Sequence, residues 1–395
     1  MPGGCVALRC YGVLDYDYGI LERLEALLEG PASLCRELEA LLSPPTRLYV
    51  RVNTLKVSVE DYLDILKSIG LRFERDTVLP EAIWHPVEGP LPVPVHDVKV
   101  VADKRAAESV LMGSDLYAPG VLWAPRELRR GMEVTVVSEN GVIVGSGIAE
   151  MSYDEIKVKG RGLAVRITEP RYRAPRVSEL PGYEEGLIYG QSFPSMAAVR
   201  ALDPRPGDVI VDLTAAPGGK VSYAAQLAGP GSRVIAVDRP SKEALLRRTL
   251  RRLGMEWVEV IAGDSRTLPG PLAALRGKVD AVIVDPPCSN IGVRPKVYDR
   301  RTLRDSLSAS RYQRGFIRAA AELLRAGGRM LYSVCTLAPD EGPLNVGWAV
   351  ETLTLEIVEP PRGILERAVE AGGGALFRPA LHGTPGFYFA VLLKR

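Results

Sequence analysis

The stretch VIVDLTAAPGGK, residues 209–220, decides the fold of this chain. Its apolar start predicts a buried β-strand, and its small residues and two glycines lead directly into the helical pattern of residues 221–228. Glycine lets a backbone approach a ligand closely, and the first amides of a helix are free to bind one. The stretch lacks the GxGxxG spacing of dinucleotide sites and the GxxxxGK[ST] spacing of P-loops, which disfavours both ligand classes.

The alternation of strand and helix continues to the end of the sequence. Further strands are predicted at residues 233–238, 258–264, 280–285, 329–335 and 386–395, with helices at 241–254 and 310–328. Strands that alternate with helices form a mostly parallel sheet with helices on both faces. The sequence therefore predicts an α/β domain whose ligands bind outside the carboxyl ends of its strands.

Two regions with different sequence patterns precede this domain. Residues 1–94 combine amphipathic helical patterns at 18–30, 33–43 and 59–70 with a strand-like run at 46–56. Residues 95–170 are rich in β-patterns, and Asn140-Gly141 between two of them predicts a hairpin. Proline-rich segments flank this second region. We therefore expect three domains, at 1–94, 95–170 and 171–395.

The bulk composition excludes several classes of protein. Lysine and arginine number 50 against 48 acidic residues, a net charge of +2, so contacts to nucleic acid must come from local patches. No apolar run reaches eighteen residues, and the first residues do not resemble a signal peptide. We expect a cytoplasmic protein without a membrane-spanning segment, and a monomer, because one set of site residues per chain requires no second copy.

The cysteines divide into two groups. The chain has five cysteines and three histidines without a CxxC pair, so we expect neither a metal site nor disulfides. Cys5, Cys10 and Cys35 are interpreted as buried apolar residues. Cys288 and Cys335 instead follow the ends of two predicted strands, where they would share one crevice. Thiolates are competent nucleophiles, so this pair favours covalent chemistry over a disulfide or a buried pair, without indicating which thiol attacks.

Three successive strand ends suit a nucleoside cofactor without a triphosphate. The glycine-containing loop follows the first strand, Asp238 ends the second and Asp264 follows the third. A carboxylate at the position of Asp238 can accept from two ribose hydroxyls, and one at Asp264 can accept from an exocyclic amine. Ordinary turn chemistry is the alternative for any one of these positions.

The motifs DLTAAPGGK, DPPC and YSVCT, in this order, resemble those of the Sun-type (Nop/Fmu) RNA cytosine-5 methyltransferases. The resemblance extends to RVNTLK at 51–56, GQSFPSMAAVRAL at 190–202 and the last residues from 378. It implies a Rossmann-like class I methyltransferase domain, S-adenosylmethionine as the cofactor, and methylation of carbon 5 of cytosine in RNA. One departure is Val334, where the family usually has threonine.

The resemblance also implies roles for single residues. Cys335 would attack carbon 6 of the cytosine, Cys288 would assist product release, and Asp285 would hydrogen-bond the ring at N3. Lys220 would lower a thiol pKa or contact the cofactor or the base; the alternative is a solvent-exposed lysine at a helix start. The residues expected at the cofactor are Ala215, Ala216, Pro217, Gly218, Gly219, Lys220, Asp238, Lys242, Asp264 and Asp285.

Residues 106–121 and 129–149 resemble a PUA domain, a small β-barrel that binds RNA, often near a tRNA 3′ end. This implies tRNA, near the 3′ end of its acceptor stem, ahead of ribosomal RNA as the substrate. The residues expected to contact RNA are Arg171, Tyr172, Arg173, Arg294, Lys296 and Arg300. The alternatives are a ribosomal RNA enzyme, a DNA cytosine methyltransferase attacking through Cys288, and a non-catalytic RNA-binding protein that retains a cofactor pocket.

Overall fold

The computed structural model of the chain describes residues 13–395, so Cys5 and Cys10 lie outside the described residues. The first part of the fold contains all three helices that its sequence predicts. Its elements are β1 (Leu14–Tyr16), α1 (Tyr18–Leu27), α2 (Pro31–Leu41), β2 (Arg47–Val52), α3 (Val59–Ser68), β3 (Glu74–Arg75) and β4 (Ala82–Pro86). Asp17 and Ser58 cap α1 and α3 by accepting a hydrogen bond from an amide in the first turn.

The second part is the predicted β-rich module. Its elements are β5 (Lys99–Ala102), α4 (Lys104–Leu111), β6 (Leu116–Tyr117), β7 (Val121–Trp123), β8 (Glu133–Ser138), β9 (Ile143–Ala149), α5 (Tyr153–Lys159) and β10 (Leu163–Pro170). The strands form one sheet in the order β6-β10-β9-β8-β5-β7, and the predicted hairpin joins β8 to β9. The sequence prediction missed α5, which Ser152 and Glu155 start with a capping box.

The third part contains the alternating pattern. Its elements are β11 (Ile188–Gly190), α6 (Phe193–Leu202), β12 (Val209–Asp212), α7 (Gly219–Ala228), β13 (Arg233–Asp238), α8 (Pro240–Arg252), β14 (Glu259–Ala262), β15 (Val279–Val284), β16 (Asp299–Arg301), α9 (Leu303–Leu323), β17 (Leu324–Val334), α10 (Pro343–Thr352), β18 (Leu355–Val358), α11 (Arg362–Leu365), β19 (Val369–Ala371), β20 (Gly374–Phe377), α12 (Pro379–His382) and β21 (Phe387–Lys394). The nine-stranded sheet has the order β14-β13-β12-β15-β17-β21-β20-β19, with β18 paired to β21. Its first five strands are parallel, and β21 is antiparallel to β17.

Helices cover both faces of this sheet, as predicted. Val211 and Val282 point into an apolar cluster with α1, α2, α9 and α10. Their neighbours Ile210 and Ile283 point into a second cluster with α6, α7 and α8. Because successive side chains of a strand alternate between faces, each strand contributes to both cores.

The boundaries of the predicted helix at 310–328 are wrong. Helix α9 begins at Leu303, where Thr302 and Asp305 form a capping box, and it ends at Leu323. Leu324 already pairs with Val279 of β15, so residues 324–328 belong to β17. The sheet contact, which helical periodicity does not reveal, determines where this helix ends.

The N-terminal part forms two sheets together with strands of the third part. Strands β2, β4 and β3 form one sheet with β11, and β1 pairs with β16. None of the helices within residues 13–395 is long and apolar enough to cross a membrane. In the same residues, no three His, Cys, Asp or Glu side chains group in a way that could hold a metal ion.

Candidate active site

The loop after β12 is tied to the next strand of the sheet. The amide of Ala215 donates to the carbonyl of Val237 at 3.0 Å, and the amide of Ala216 donates to Asp238 Oδ2 at 2.8 Å. Gly218 has a φ of 120°, and a Cβ there would lie 2.8 Å from the side chain of Thr249. Glycine is therefore required at this position, and the loop leads directly into α7.

Arg51 of β2 stabilises this loop and the start of α7 through hydrogen bonds. The sequence prediction assigned it no role. Its guanidinium donates to Gly219 O and Gln191 Oε1, both at 2.8 Å, and to Ser222 Oγ at 2.7 Å. Burial lowers the pKa of Arg51 to about 10, so the group stays charged at neutral pH. A strand from the N-terminal part thus holds the first turn of α7 in place.

The two acids that were expected to bind a nucleoside lie at neighbouring strand ends. Asp238 accepts from the amides of Ala216 and Arg239, at 2.8 and 2.7 Å. The Asp264 carboxylate, with 42% of its side chain exposed, is paired with the Arg266 guanidinium at 2.6 Å. That hydrogen bond lowers the pKa of Asp264, so the carboxylate is ionised at neutral pH.

These residues fit the polar groups of S-adenosylmethionine. Each Asp238 oxygen uses one lone pair on a backbone amide, which leaves others for ribose hydroxyls. Asp264 can accept from an adenine amine, and the loop after β12 lies at the same edge of the sheet as these acids. Lys242 is exposed near the start of α8 and forms no ion pair within the described residues, so its expected place near the ribose remains a prediction.

Asp285 and Lys220 form an ion pair at the end of β15. Lys220 Nζ lies 2.7 Å from Asp285 Oδ2, and only 11% of the lysine side chain is exposed. Ser333 Oγ donates to the other carboxylate oxygen at 2.7 Å, and the Asp285 amide donates to Thr214 Oγ1, also at 2.7 Å. Lys220 is therefore not the solvent-exposed helix-start lysine of the alternative interpretation.

The two cysteines that follow β15 and β17 are in contact. Cys288 Sγ and Cys335 Sγ lie 3.0 Å apart as free thiols, and Cys335 Sγ lies 3.0 Å from Asn290 Oδ1. The hydrogen bond with Cys335, followed by burial, holds the pKa of the Cys288 thiol well above its ordinary value. The pair therefore keeps Cys288 protonated beside its neighbour.

A buried polar clamp, formed by Gln313 and Glu341, holds the backbone on both sides of Cys288. Gln313 Nε2 donates to Pro287 O at 3.1 Å and to Glu341 Oε2 at 2.9 Å. The same Glu341 oxygen accepts from the amide of Ser289 at 2.9 Å. Glu341 is fully buried and has no cationic partner in residues 13–395, and burial raises its pKa. The sequence prediction missed both residues of the clamp.

Lys296, expected to contact RNA, is instead part of the protein interior. It is 4% exposed, its Nζ lies 2.9 Å from Asp299 Oδ2, and it donates to Asn290 O at 2.9 Å. Asp299 also pairs with Lys104 of α4 at 3.0 Å. The expectation for Lys296 is therefore wrong, because its charge is used to fix the loop after Cys288.

Two more of the expected RNA contacts have internal roles. Tyr172 is 8% exposed and packs in the core of the β-rich module. Arg294 donates to three backbone carbonyls, and burial lowers its pKa to about 10. Arg171, Arg173 and Arg300 are exposed, so their contact with RNA remains a prediction.

Comparison with known proteins matches the second and third parts of the chain to two described families. Residues 199–393 match the family described as 16S rRNA methyltransferase RsmB/F, and residues 98–170 match the PUA domain. The tRNA (cytosine(72)-C(5))-methyltransferase of Pyrococcus horikoshii is 41% identical over 384 residues, which cover 93% of this chain and 94% of that protein. The tRNA (cytosine(72)-C(5))-methyltransferase NSUN6 of Mus musculus is 31% identical over 373 residues, covering 83% and 77%.

A solved structure agrees with these matches. The crystal structure of NSun6 from Pyrococcus horikoshii with SFG, an analogue of S-adenosylmethionine, has a TM-score of 0.87 and 37% identity, covering 96% of this chain and 98% of that one. The expected family, fold class and cofactor are thereby confirmed. The chain belongs to the Sun-type (RsmB/F) RNA cytosine-5 methyltransferases, with a PUA domain ahead of its catalytic sheet.

Proposed function

We propose that this chain methylates carbon 5 of a cytosine near the 3′ end of the tRNA acceptor stem, through a covalent bond between Cys335 and carbon 6. The observation that carries the proposal is the 3.0 Å contact between the Cys288 and Cys335 thiols, beside the ion pair of Lys220 and Asp285. A cytosine ring needs a nucleophile at carbon 6 and a stabilised charge at N3, and this crevice offers groups for both.

Cys335 and Asp285 have different roles in the attack on the cytosine ring. The Cys335 sulfur forms a bond to carbon 6, and the electron pair of the ring moves toward carbon 5 and N3. In this proposal N3 receives a proton from the Asp285 carboxyl group, which Lys220 and Ser333 hold in place, and this proton stabilises the charge. S-adenosylmethionine, when bound, supplies a methyl group to the activated carbon 5.

Release requires a base that accepts the carbon-5 proton. The electron pair of that C–H bond restores the 5,6 double bond, and the pair of the bond between sulfur and carbon 6 leaves with Cys335 as a thiolate. Cys288 lies 3.0 Å from the sulfur that must depart, so we assign it to this step, in which its protonated thiol donates a hydrogen bond to the departing thiolate. The raised pKa of the Cys288 thiol suits a group that is not the attacking nucleophile. Cys335 is accordingly the nucleophile in this proposal.

The relatives' names and the PUA domain support tRNA as the substrate. Proteins from Pyrococcus horikoshii and Mus musculus that resemble this chain over most of its length are named for cytosine 72 of tRNA. Ribosomal RNA is the second candidate, because the family that matches residues 199–393 is described by 16S rRNA.

We further propose that the protein acts as a monomer in the cytoplasm. One chain supplies the glycine-containing loop, both acids and both thiols, so a second copy is not needed. Two thiols in contact would remain unbridged in a reducing compartment.

The decisive experiment compares cysteine variants with labelled S-adenosylmethionine and either bulk tRNA or 16S rRNA. Cys288→Ala is expected to accumulate a denaturation-resistant RNA adduct, because attack proceeds and release does not. Cys335→Ala should give neither product nor adduct. Cys35→Ala serves as the matched control, since Cys35 is a free, partly buried cysteine packed against the apolar core.

Three results would contradict the proposal. Methylation by Cys335→Ala would remove Cys335 as the nucleophile. Product on 16S rRNA alone would exclude tRNA. RNA binding without product by the wild-type protein would indicate a non-catalytic protein.

A further inference from the structure

A cleft of about 440 Å³ opens beside the active site and contains none of the residues discussed as catalytic or cofactor-binding. Its walls are residues 45–49, 190–193 and 382–385, together with Glu366 and Arg367. The volume falls within the range of about 300–1,000 Å³ that is usual for sites of small organic groups. The cleft is therefore large enough for a nucleobase.

The cleft lies on the substrate edge of the sheet. Val334, the last residue of β17, pairs with Tyr388, and Phe377 at the end of β20 pairs with Phe387. The segment at 382–385 precedes β21, so it emerges at the edge where Cys335 also lies. This is the edge at which an RNA strand must pass in order to present its cytosine.

Hydrogen bonds connect the walls of the cleft to Cys335 and to the loop after β12. The amide of Gly386 donates to Gly292 O at 2.8 Å, and the amide of Gly292 donates to Cys335 O at 3.2 Å. On the other wall, Gln191 accepts from Arg51, which also donates to Gly219 O. Gly292 is thus hydrogen-bonded both to Gly386, which follows Pro385 of the cleft wall, and to the nucleophile Cys335.

The lining combines planar surfaces with one free cation. The guanidinium of Arg47 lies 4.0 Å from the ring centroid of Trp84, and Arg47 forms no ion pair with any residue that the structure describes. Arg367 is neutralised by Asp76 at 2.6 Å and lies over the ring of Phe193. The one carboxylate of the lining, Glu366, is paired with Arg362 at 3.2 Å.

His382 adds a neutral ring to the same wall. Its Nδ1 accepts from the amide of Arg378 at 2.8 Å, and its ring packs against Phe377. Burial lowers the pKa of His382, so the imidazole is uncharged at neutral pH. Neutral rings and arginine planes are the surfaces on which unstacked bases pack, and a free arginine binds phosphate.

We infer that this cleft binds the nucleotide adjacent to the target cytosine, with its base against the planes of His382 and the arginines and its phosphate near Arg47. The inference rests on the proposed function, because it requires an RNA substrate. A cytosine that leaves its stack to reach Cys335 also leaves its neighbour partly unstacked, which costs free energy. A site for the neighbour would compensate this cost and favour particular flanking bases.

Crosslinking tests the location. An acceptor-stem RNA carries 4-thiouridine next to the target cytosine, either 5′ or 3′ to it, and is irradiated with wild-type protein and, separately, as the adduct with Cys288→Ala. We expect one of the two positions to crosslink to residues 45–49 or 382–385, mapped by mass spectrometry. Crosslinks from both positions that fall only elsewhere would overturn the inference, even where the adduct forms normally.

Kinetics tests the chemistry. Arg47→Ala is expected to raise the KM for RNA about tenfold while kcat and the KM for S-adenosylmethionine stay unchanged, and Arg47→Lys should recover part of the loss. Arg75→Ala, an exposed arginine of the same small sheet outside the cleft, is the matched control. An abasic neighbour should weaken the wild type and leave Arg47→Ala nearly unaffected; equal losses in both would contradict the inference.

The two tests separate the inference from the proposed function. The wild-type crosslink requires only RNA binding, so it reports on the cleft even if no methyl group is transferred. Absence of both product and adduct would contradict the proposed function alone. A normal adduct without a crosslink to the cleft would contradict the inference alone.

Discussion

The cofactor half and the cysteine half of the active site are built in different ways. Around the cofactor, Asp264 bonds to Arg266 two positions away and 42% of its side chain is exposed, while Asp238 bonds to the adjacent Arg239 and to Ala216. Around the cysteines, Cys288 is held by Gln313 and Glu341, which are distant in sequence and fully buried. An exposed acid with a local partner, such as Asp264, should tolerate substitution, whereas buried residues with distant partners should not.

The largest effect is expected in the cysteine half, at the ion pair of Lys220 and Asp285. Lys220→Met removes the buried cation beside the ring and should lower kcat by about 10²–10³-fold, as when one charge-stabilising donor is deleted. Binding of S-adenosylmethionine, measured by calorimetry, should change little. Loss of cofactor binding with retained kcat would instead place Lys220 in the cofactor half.

The buried clamp behind Cys288 should affect both stability and release. Glu341→Leu leaves the amides of Ser289 and Gln313 without an acceptor, which we expect to cost about 1–3 kcal/mol of unfolding free energy. Chemical denaturation measures this cost, and the fraction of RNA trapped as adduct should rise because Cys288 is displaced.

Glu341→Gln is the matched variant for this prediction. It keeps an oxygen acceptor and should retain most of the stability and normal release. If the leucine variant matched the wild type in both measurements, the clamp would have no role in positioning Cys288.

Asp212, the last residue of β12, lies in the cofactor half and is buried, unlike Asp264. Burial raises its pKa to about 7, so the folded protein holds a proton that the unfolded chain, with a pKa of about 3.9, has lost. Its contribution to stability is therefore complete below about pH 4 and is lost as the pH rises toward 7.

Asp212→Asn should remove this dependence, because its amide oxygen can still accept from Thr214. Its advantage over the wild type should grow by about 1.4 kcal/mol for each pH unit within that window. Denaturation at pH 5 and pH 8 checks the sign. A constant difference between these pH values would show that Asp212 does not titrate there.

The smallest effect is expected at the exposed acid of the cofactor half. Asp264→Asn keeps one oxygen acceptor and disrupts only a surface pair with Arg266, so the fold should lose less than about 1 kcal/mol. We expect the KM for S-adenosylmethionine to rise a few-fold with unchanged RNA adduct formation in the Cys288→Ala background. A loss comparable to that of Lys220→Met would remove the distinction between the two halves.

The same difference explains how far sequence alone could describe the site. Cys288 and Cys335 could be placed together because β15 and β17 are parallel neighbours and the residues after them share an edge. Arg51, Gln313 and Glu341 were missed, because their roles depend on packing between elements that no local pattern specifies. Lys296 was misassigned for the same reason: a lysine in a basic stretch predicts exposure, yet Asp299 holds it inside.

The carboxylate of Asp299 connects the RNA-binding module with the reaction centre. It pairs with Lys104 of the PUA domain and with Lys296, whose ammonium group also holds the carbonyl of Asn290 beside the two thiols. The protein, rather than the RNA, thus sets the spacing between the module and Cys335. Under the proposed function, this fixed spacing would let the enzyme select a cytosine by its distance from the RNA end that the module binds.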